Sequence, residues 1–161
     1  MIEQKGLIDE INEIKNMYLI SLSEEDDYLK IKVCSSKYED CDEQMASKFK
    51  IKGIENIIKG AKDVIKDTST IYEIVFDSYI AYSSRWESYT TWDEYEVFIL
   101  GKNYRVFSQS KFLDYVIDST FASHVTVYHH YGIYCEWQII DIVSAHKPTI
   151  SKYTLAIKLE S

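Results

Sequence analysis

Hydrophobic and polar positions change period several times along the 161-residue chain. Leu7, Ile8, Ile11, Ile14 and Tyr18 recur at helical spacing among Asp9, Glu10, Asn12, Glu13 and Lys15, which predicts an amphipathic helix over about residues 6–16. The period then shortens. MYLISLS and YLKIKVCS read as two strands of a hairpin around the acidic turn 24–27, the second alternating Leu29, Ile31 and Val33 against Lys30 and Lys32. SSKYEDCDEQMASKFK has the weakest pattern and reads as loop with at most a turn of helix. Over GIENIIKGAKDVIKD, Ile54, Ile57, Ile58, Ala61, Val64 and Ile65 share one helical face, which favours a helix, with a pair of short strands as the alternative.

From Ile71 the period is two. Tyr72, Ile74, Phe76, Ile80 and Tyr82 lie on one face and Glu73, Val75, Asp77, Tyr79 and Ala81 on the other, as in one long strand. YEVFIL and YRVFSQ flank Gly101, Lys102 and Asn103 as a hairpin. Ser108 or Ser110 can cap a helix over KFLDYVIDS that presents Phe112, Leu113, Val116 and Ile117. HVTVYHHY, IYCEWQIIDIVSA and YTLAIKLE complete the strands, the middle one apolar enough for a central position. The expected fold is a single α+β domain over 1–161, a curved antiparallel sheet of about six to eight strands with two or three packed helices.

Composition sharpens this picture. One proline, five glycines and 46% hydrophobic residues suit one core, and the 14 tyrosines suit half-buried sheet surfaces. Eighteen Lys and Arg against 26 Asp and Glu give a net charge of -8, which repels phosphate backbones and anionic lipid and attracts a basic protein. No nucleic acid or membrane partner is expected. Three cysteines without a CxxC pair, and an N-terminus without the basic-then-apolar layout of a signal peptide, point to the cytosol.

The segment SRWESYTTWDEYEVF (84–98) sets an aromatic at every third position among acids, Ser and Thr. That period fits neither strand nor helical stripe, so a loop is expected to break it. Tyr95, Val97 and Trp86 are assigned to the fold. Tyr89, Trp92 and Phe98 with Glu87, Asp93, Glu94 and Glu96 form a candidate partner-binding edge, since Trp and Tyr anchors ringed by polar groups are what interface hot spots use. Arg85, one of two arginines, is expected to brace this loop through Glu87 or Glu94.

Catalytic signals are weak. No GxSxG, HExxH, GxGxxG or P-loop occurs, and Cys135 in an apolar run reads as a buried structural thiol. On a strand HVTVYHHY, His124 and His130 share a face some six residues and roughly 20 Å apart, too far to hold one metal ion. His130 is expected to bond a carboxylate such as Glu136. An alternative pocket of Tyr128, His130, Glu136 and Trp137 would suit a small ligand or an enzymatic role. No cofactor and no metal are expected.

FDSYIAYSSRWESYT (76–90), SKFLDYV (110–116) and HYGIYCEWQIIDIVSAHKPTI (130–150), together roughly half the chain, resemble small bacterial proteins from polymorphic-toxin and immunity gene clusters, in which a small polar residue stands where Trp86 stands here. The resemblance implies a cytosolic, non-enzymatic, acidic and β-rich domain that binds and blocks a cognate toxin. Without ligand spacing between histidines or cysteines, the purified protein should carry no stoichiometric zinc, and a chelator should leave its melting temperature unchanged. Near-equimolar metal after desalting would contradict this.

Overall fold

The computed structural model of the chain describes residues 2–40, 62–91, 93–122 and 126–155. Helix α1 covers Ile2–Glu13, somewhat earlier than the periodicity predicts. Strands β1 (Tyr18–Glu25) and β2 (Tyr28–Asp40) form the expected hairpin. At its turn Asp26 takes a positive φ of 54°, which a short acidic side chain tolerates. Strand β3 is Lys62–Phe76, β4 Tyr79–Trp86, β5 Val97–Leu100 and β6 Tyr104–Gln109. Helix α2 spans Lys111–Ser119, and β7 (His129–Tyr134), β8 (Gln138–Ser144) and β9 (Thr149–Thr154) close the order.

The α+β composition holds, but the strands divide into two antiparallel sheets of four and five strands, ordered β1-β2-β3-β9 and β4-β8-β7-β6-β5, in place of one curved sheet. Among the described residues there are two α-helices. The division comes from the bend at Asp77 and Ser78, where the expected long strand breaks into β3 and β4 in different sheets. A two-residue bend keeps the alternation in phase, so it is invisible to periodicity; the phase slips only beyond it, at a register shift between Tyr79 and Ala81 that brings Tyr79 and Tyr82 against the core.

Three further expectations are corrected. Ser35–Asp40, read as loop, continue β2 by pairing with Lys62–Asp67 of β3, so the C-terminal end of the expected helix is strand; residues 41–61 lie outside the described residues. Backbone pairing overrides local propensity there. IYCEWQIIDIVSA is two strands with a turn at Cys135, Glu136 and Trp137. No Gly, Pro or Asn marks that turn. It is closed by Cys135 N donating to Gln138 O at 2.8 Å and anchored from outside by Glu136 N donating to Met17 O at 2.7 Å and Tyr134 N donating to Asn103 O at 2.8 Å. The last strand falls at Thr149–Thr154, earlier than YTLAIKLE.

Alternation sends one face of each sheet into a shared core. Leu29, Ile31, Val33, Tyr72, Ile74, Phe76 and Ile150 from the four-stranded sheet meet Tyr104, Tyr131, Ile133, Ile140 and Ile142 from the other, with the Phe76 and Tyr131 rings 5.2 Å apart. Each such side chain stabilises by roughly 1.5–3 kcal/mol when fully buried. Helix α1 closes one end with Ile11 and bridges both sheets. Its Glu10 accepts hydrogen bonds from Tyr72 Oη at 2.8 Å and Lys152 Nζ at 2.6 Å. Two helical residues on, Asn12 Oδ1 accepts from the backbone N–H groups of Lys102, Asn103 and Tyr104, each at 2.9 Å. Asn103 Nδ2 reciprocates by donating to Ile11 O and Ile14 O. Gly101, at φ 83°, leaves room for this clamp: a Cβ there would lie 1.9 Å from Tyr104 O and 2.6 Å from Asn12 Oδ1.

Asn12→Ala strands three backbone donors at once and should cost about 2 kcal/mol or more in a denaturant titration. A loss within the scatter of surface substitutions would show that water replaces the clamp.

Candidate acidic and aromatic recognition site

The outer face of the five-stranded sheet, turned away from the shared core, carries the site. Ile140 and Ile142 face inward, so Ile139, Asp141 and Val143 of β8 face outward. Register places Asp141 opposite Ser83 of β4 and Gly132 of β7, and Ile139 opposite Arg85. A Cβ at Gly132 would stand 2.7 Å from the Tyr134 ring and 3.0 Å from the Phe107 ring, so the bare backbone there makes space for both aromatics.

Asp141 is a carboxylate with no solvent exposure in a strand buried on both faces. A buried charge must be paired and hydrogen-bonded. Arg85 Nη1 donates to Asp141 Oδ2, and His130 Nε2 lies 3.0 Å from Asp141 Oδ1. His130 Nδ1 lies in turn 2.7 Å from Ser110 Oγ, which also accepts from Leu113 N at 3.0 Å as the N-cap of α2. The imidazole stacks on Phe107 at 4.2 Å and meets Phe112 edge-on. The order Ser, His, Asp is that of a hydrolase triad, but the serine is fully buried and already occupied as a helix cap, and the histidine is 1% exposed. Substrate cannot reach it, and the network acts as a brace between β4, β8, β7 and α2.

The brace continues to the surface. Arg85 Nε donates to Thr90 Oγ1 at 3.3 Å, beyond the short 3-10 turn Glu87–Tyr89. Glu87 N donates to Trp137 O at 2.9 Å, fixing that turn against the β7–β8 connection. On the other side, Asp93 Oδ1 accepts from Tyr95 N at 3.0 Å, Asp93 pairs with Lys111, and Tyr95 Oη donates to Asp114 Oδ2 at 2.5 Å, so the acidic loop is fastened to α2. The Lys111 ammonium holds the Asp93 carboxyl below its ordinary range.

Between these two walls lies a hollow of about 260 Å³ whose lining includes Glu87, Asp93, Glu96 and Phe98 with Arg105 and Tyr134. The Arg105 guanidinium sits 3.7 Å over the Tyr134 ring and 4.5 Å from the Phe98 centroid. A second hollow of about 270 Å³ shares Glu87, Arg105 and Tyr134 and adds Lys15, Lys102 and Glu136. Among the described residues the Glu87 and Glu96 carboxylates form no ion pair. Trp86 and Trp137, each 58% exposed, and Tyr89, 83% exposed, flank this face in the chain.

Of the residues singled out by sequence, four therefore line one hollow: Glu87, Asp93, Glu96 and Phe98. Tyr89 and Glu94 are exposed nearby in the chain, and Trp92 lies outside the described residues. Phe98 packs against Phe107 and Arg105 rather than standing free, whereas Tyr95, Val97 and Trp86, assigned to the fold, are each 40% or more exposed. β5 ends the strand order of its sheet and its register on β6 is irregular at Val97 and Phe98, so the strand lies at the border of the core and Val97 stays exposed. The alternative set does not converge. His130 is sealed on Asp141 and Ser110 rather than Glu136, Glu136 lies in the exposed β7–β8 turn, Trp137 meets Tyr18 edge-on at 5.3 Å, and Tyr128 is half-buried before β7. Arg85 braces through Asp141, not Glu87 or Glu94. His124 lies outside the described residues, and β7 begins only at His129. Burial pushes the Cys135 thiol up to about 12, in keeping with a structural cysteine.

Asp141, Arg105 and Tyr134 escape the sequence reading as site residues, and Ser110 is foreseen there only as a helix cap. One signal was present: a lone acid inside IIDIVSA is a charge that needs a partner in a buried strand. Among the described residues no group of three or more His, Cys, Asp or Glu side chains is placed to hold a metal ion, and no helix is long and apolar enough to cross a membrane. Comparison with protein families, with curated proteins and with solved structures finds no match in any of the three.

Asp141→Ala leaves the Arg85 and His130 donors facing an apolar gap and should destabilise by about 3 kcal/mol; chemical denaturation with unchanged cooperativity checks it. Near-neutral stability would mean that the network braces nothing.

Proposed function

We propose that the chain is a non-catalytic protein-binding module, in the manner of a bacterial immunity or antitoxin-like inhibitor working in the cytoplasm, and that its partner is a basic protein. The observation that carries this reading is the hollow on the outer sheet face, where three carboxylates, Glu87, Asp93 and Glu96, stand against the single cation Arg105 in the described lining, and Glu87 and Glu96 form no ion pair among the described residues. Carboxylates on a rigid, aromatic-floored concavity suit the lysine or arginine side chains of an incoming protein, which can pair with the acids and lie on the rings. The net charge of -8 supplies long-range attraction toward such a partner.

The sealing of the Ser110, His130 and Asp141 side chains supports binding over catalysis, since this linked set of hydroxyl, imidazole and carboxylate among the described residues is buried. Exposed Trp86, Tyr89 and Trp137 supply the aromatic anchors of the type that dominate interface energetics.

The test is capture of a basic protein from source-cell lysate at low salt, followed by kinetics on variants. Glu87→Lys with Glu96→Lys should slow association about tenfold and flatten its salt dependence, and Tyr89→Ala should cost about 2 kcal/mol of affinity while cooperative unfolding is retained. A partner that binds these variants as it binds the parent chain would place the recognition surface elsewhere.

A further inference from the structure

A third cavity, of about 300 Å³, lies on the inner side of the five-stranded sheet, where Ile8 of α1, Ile99 of β5, Val106 of β6 and Lys147 of the β8–β9 connection border it together with Tyr104 and Tyr131. Its volume is at the lower end of the ~300–1,000 Å³ range of small-ligand pockets. The site is independent of the acidic hollow and goes beyond the binding role proposed above.

Two features set its chemistry. The first is a pair of phenols. Tyr104 and Tyr131 are each 2% exposed, and neither hydroxyl has a hydrogen-bond partner among the described residues; burial is the leading influence on both, raising their pKa values, so each stays a protonated donor. Yet among the described residues no sealed side-chain oxygen or nitrogen lacks a partner. Both hydroxyl oxygens therefore reach open space, and the cavity is the space the two side chains border together. Buried donors without an acceptor are costly unless water or a ligand supplies one.

The second feature is the sign of the charge. In a chain with 26 acidic residues, none of the described residues lining this cavity is an acid; among them the lysine is Lys147, which forms no ion pair among the described residues, and His129 stands beside Tyr131. Apolar walls, two unmatched donors and one cation complement a molecule that is apolar at one end and anionic at the other.

We propose that this cavity binds a small apolar carboxylate, its hydrocarbon part against Ile8, Ile99 and Val106 and its carboxylate accepting hydrogen bonds from Tyr104 and Tyr131 beside Lys147. The donors select for the acceptor and the lysine for its charge, so the matching alcohol binds more weakly and the matching amine not at all.

Isothermal titration of the full chain with octanoate, octanol and octylamine at neutral pH tests this. Octanoate should bind saturably at one site, and Tyr104→Phe or Tyr131→Phe, each removing one oxygen without changing ring packing, should weaken it about tenfold with cooperative melting retained; Lys147→Met should weaken it too. The proposal is overturned if octanoate shows no saturable binding at millimolar concentration, if the Phe variants bind it as the parent does, or if octanol binds equally well, the last result marking a dry apolar void that takes any hydrocarbon.

Discussion

The carboxylate of Asp141 is the constraint from which the outer face of the molecule follows. An anion with no solvent exposure in the centre of a sheet is tolerable only when its lone pairs are matched, and here each partner belongs to a different element. Arg85 comes from β4, His130 from β7, and Ser110 extends the network to the start of α2. Well-packed apolar residues in these places could be as stable. They would not fix where α2 lies on the sheet, or hold Arg85 in reach of Thr90, because dispersion contacts are non-directional whereas the hydrogen bonds are not.

The acidic hollow on this face inherits its fixed walls from that brace. One wall, Glu87 to Thr90, is tied to Arg85 and to the Trp137 carbonyl; the other, Asp93 to Glu96, is tied to α2 through Lys111 and Asp114. The floor is Arg105 between Tyr134 and Phe98. Loops that carry contacts on a fixed scaffold lose little conformational freedom when a partner arrives, so more of the contact energy appears as affinity. At the opposite side of the same sheet, α1 is held by the Asn12 and Asn103 clamp, and the space bordered by Ile8 of α1 together with Tyr104 and Tyr131 is the third cavity.

Local elements were largely legible in the sequence. The hairpins at β1–β2 and β5–β6 and the Ser110 cap announce themselves by alternation, turn residues and capping chemistry, all of which act within a few residues. What escaped was set by contacts distant in the chain. The Asp77 and Ser78 bend preserves the phase of alternation, so two strands of different sheets read as one. The turn at Cys135, Glu136 and Trp137 lacks Gly, Pro and Asn, and part of what anchors it comes from Met17 and Asn103, far away in the chain. Ser35 to Asp40 look like loop until β3 pairs with them. The same division runs through the site: Glu87, Asp93, Glu96 and Phe98 could be picked out by residue type, but Arg105 and Tyr134 join them only through sheet pairing. Asp141 was visible as an isolated acid in an apolar run, while its partners, 56 and 11 residues away, were not.

The central claim, that a basic partner docks on the outer face of the five-stranded sheet, is tested most directly by amide hydrogen exchange of the chain alone and in complex with the basic protein it retains at low salt. Added protection should concentrate in residues 86–98 and at the β7–β8 turn, 134–138, with α1 and β9 unchanged. Protection confined to α1, β9 or the β1–β2 hairpin, with 86–98 exchanging as in the free chain, would contradict it.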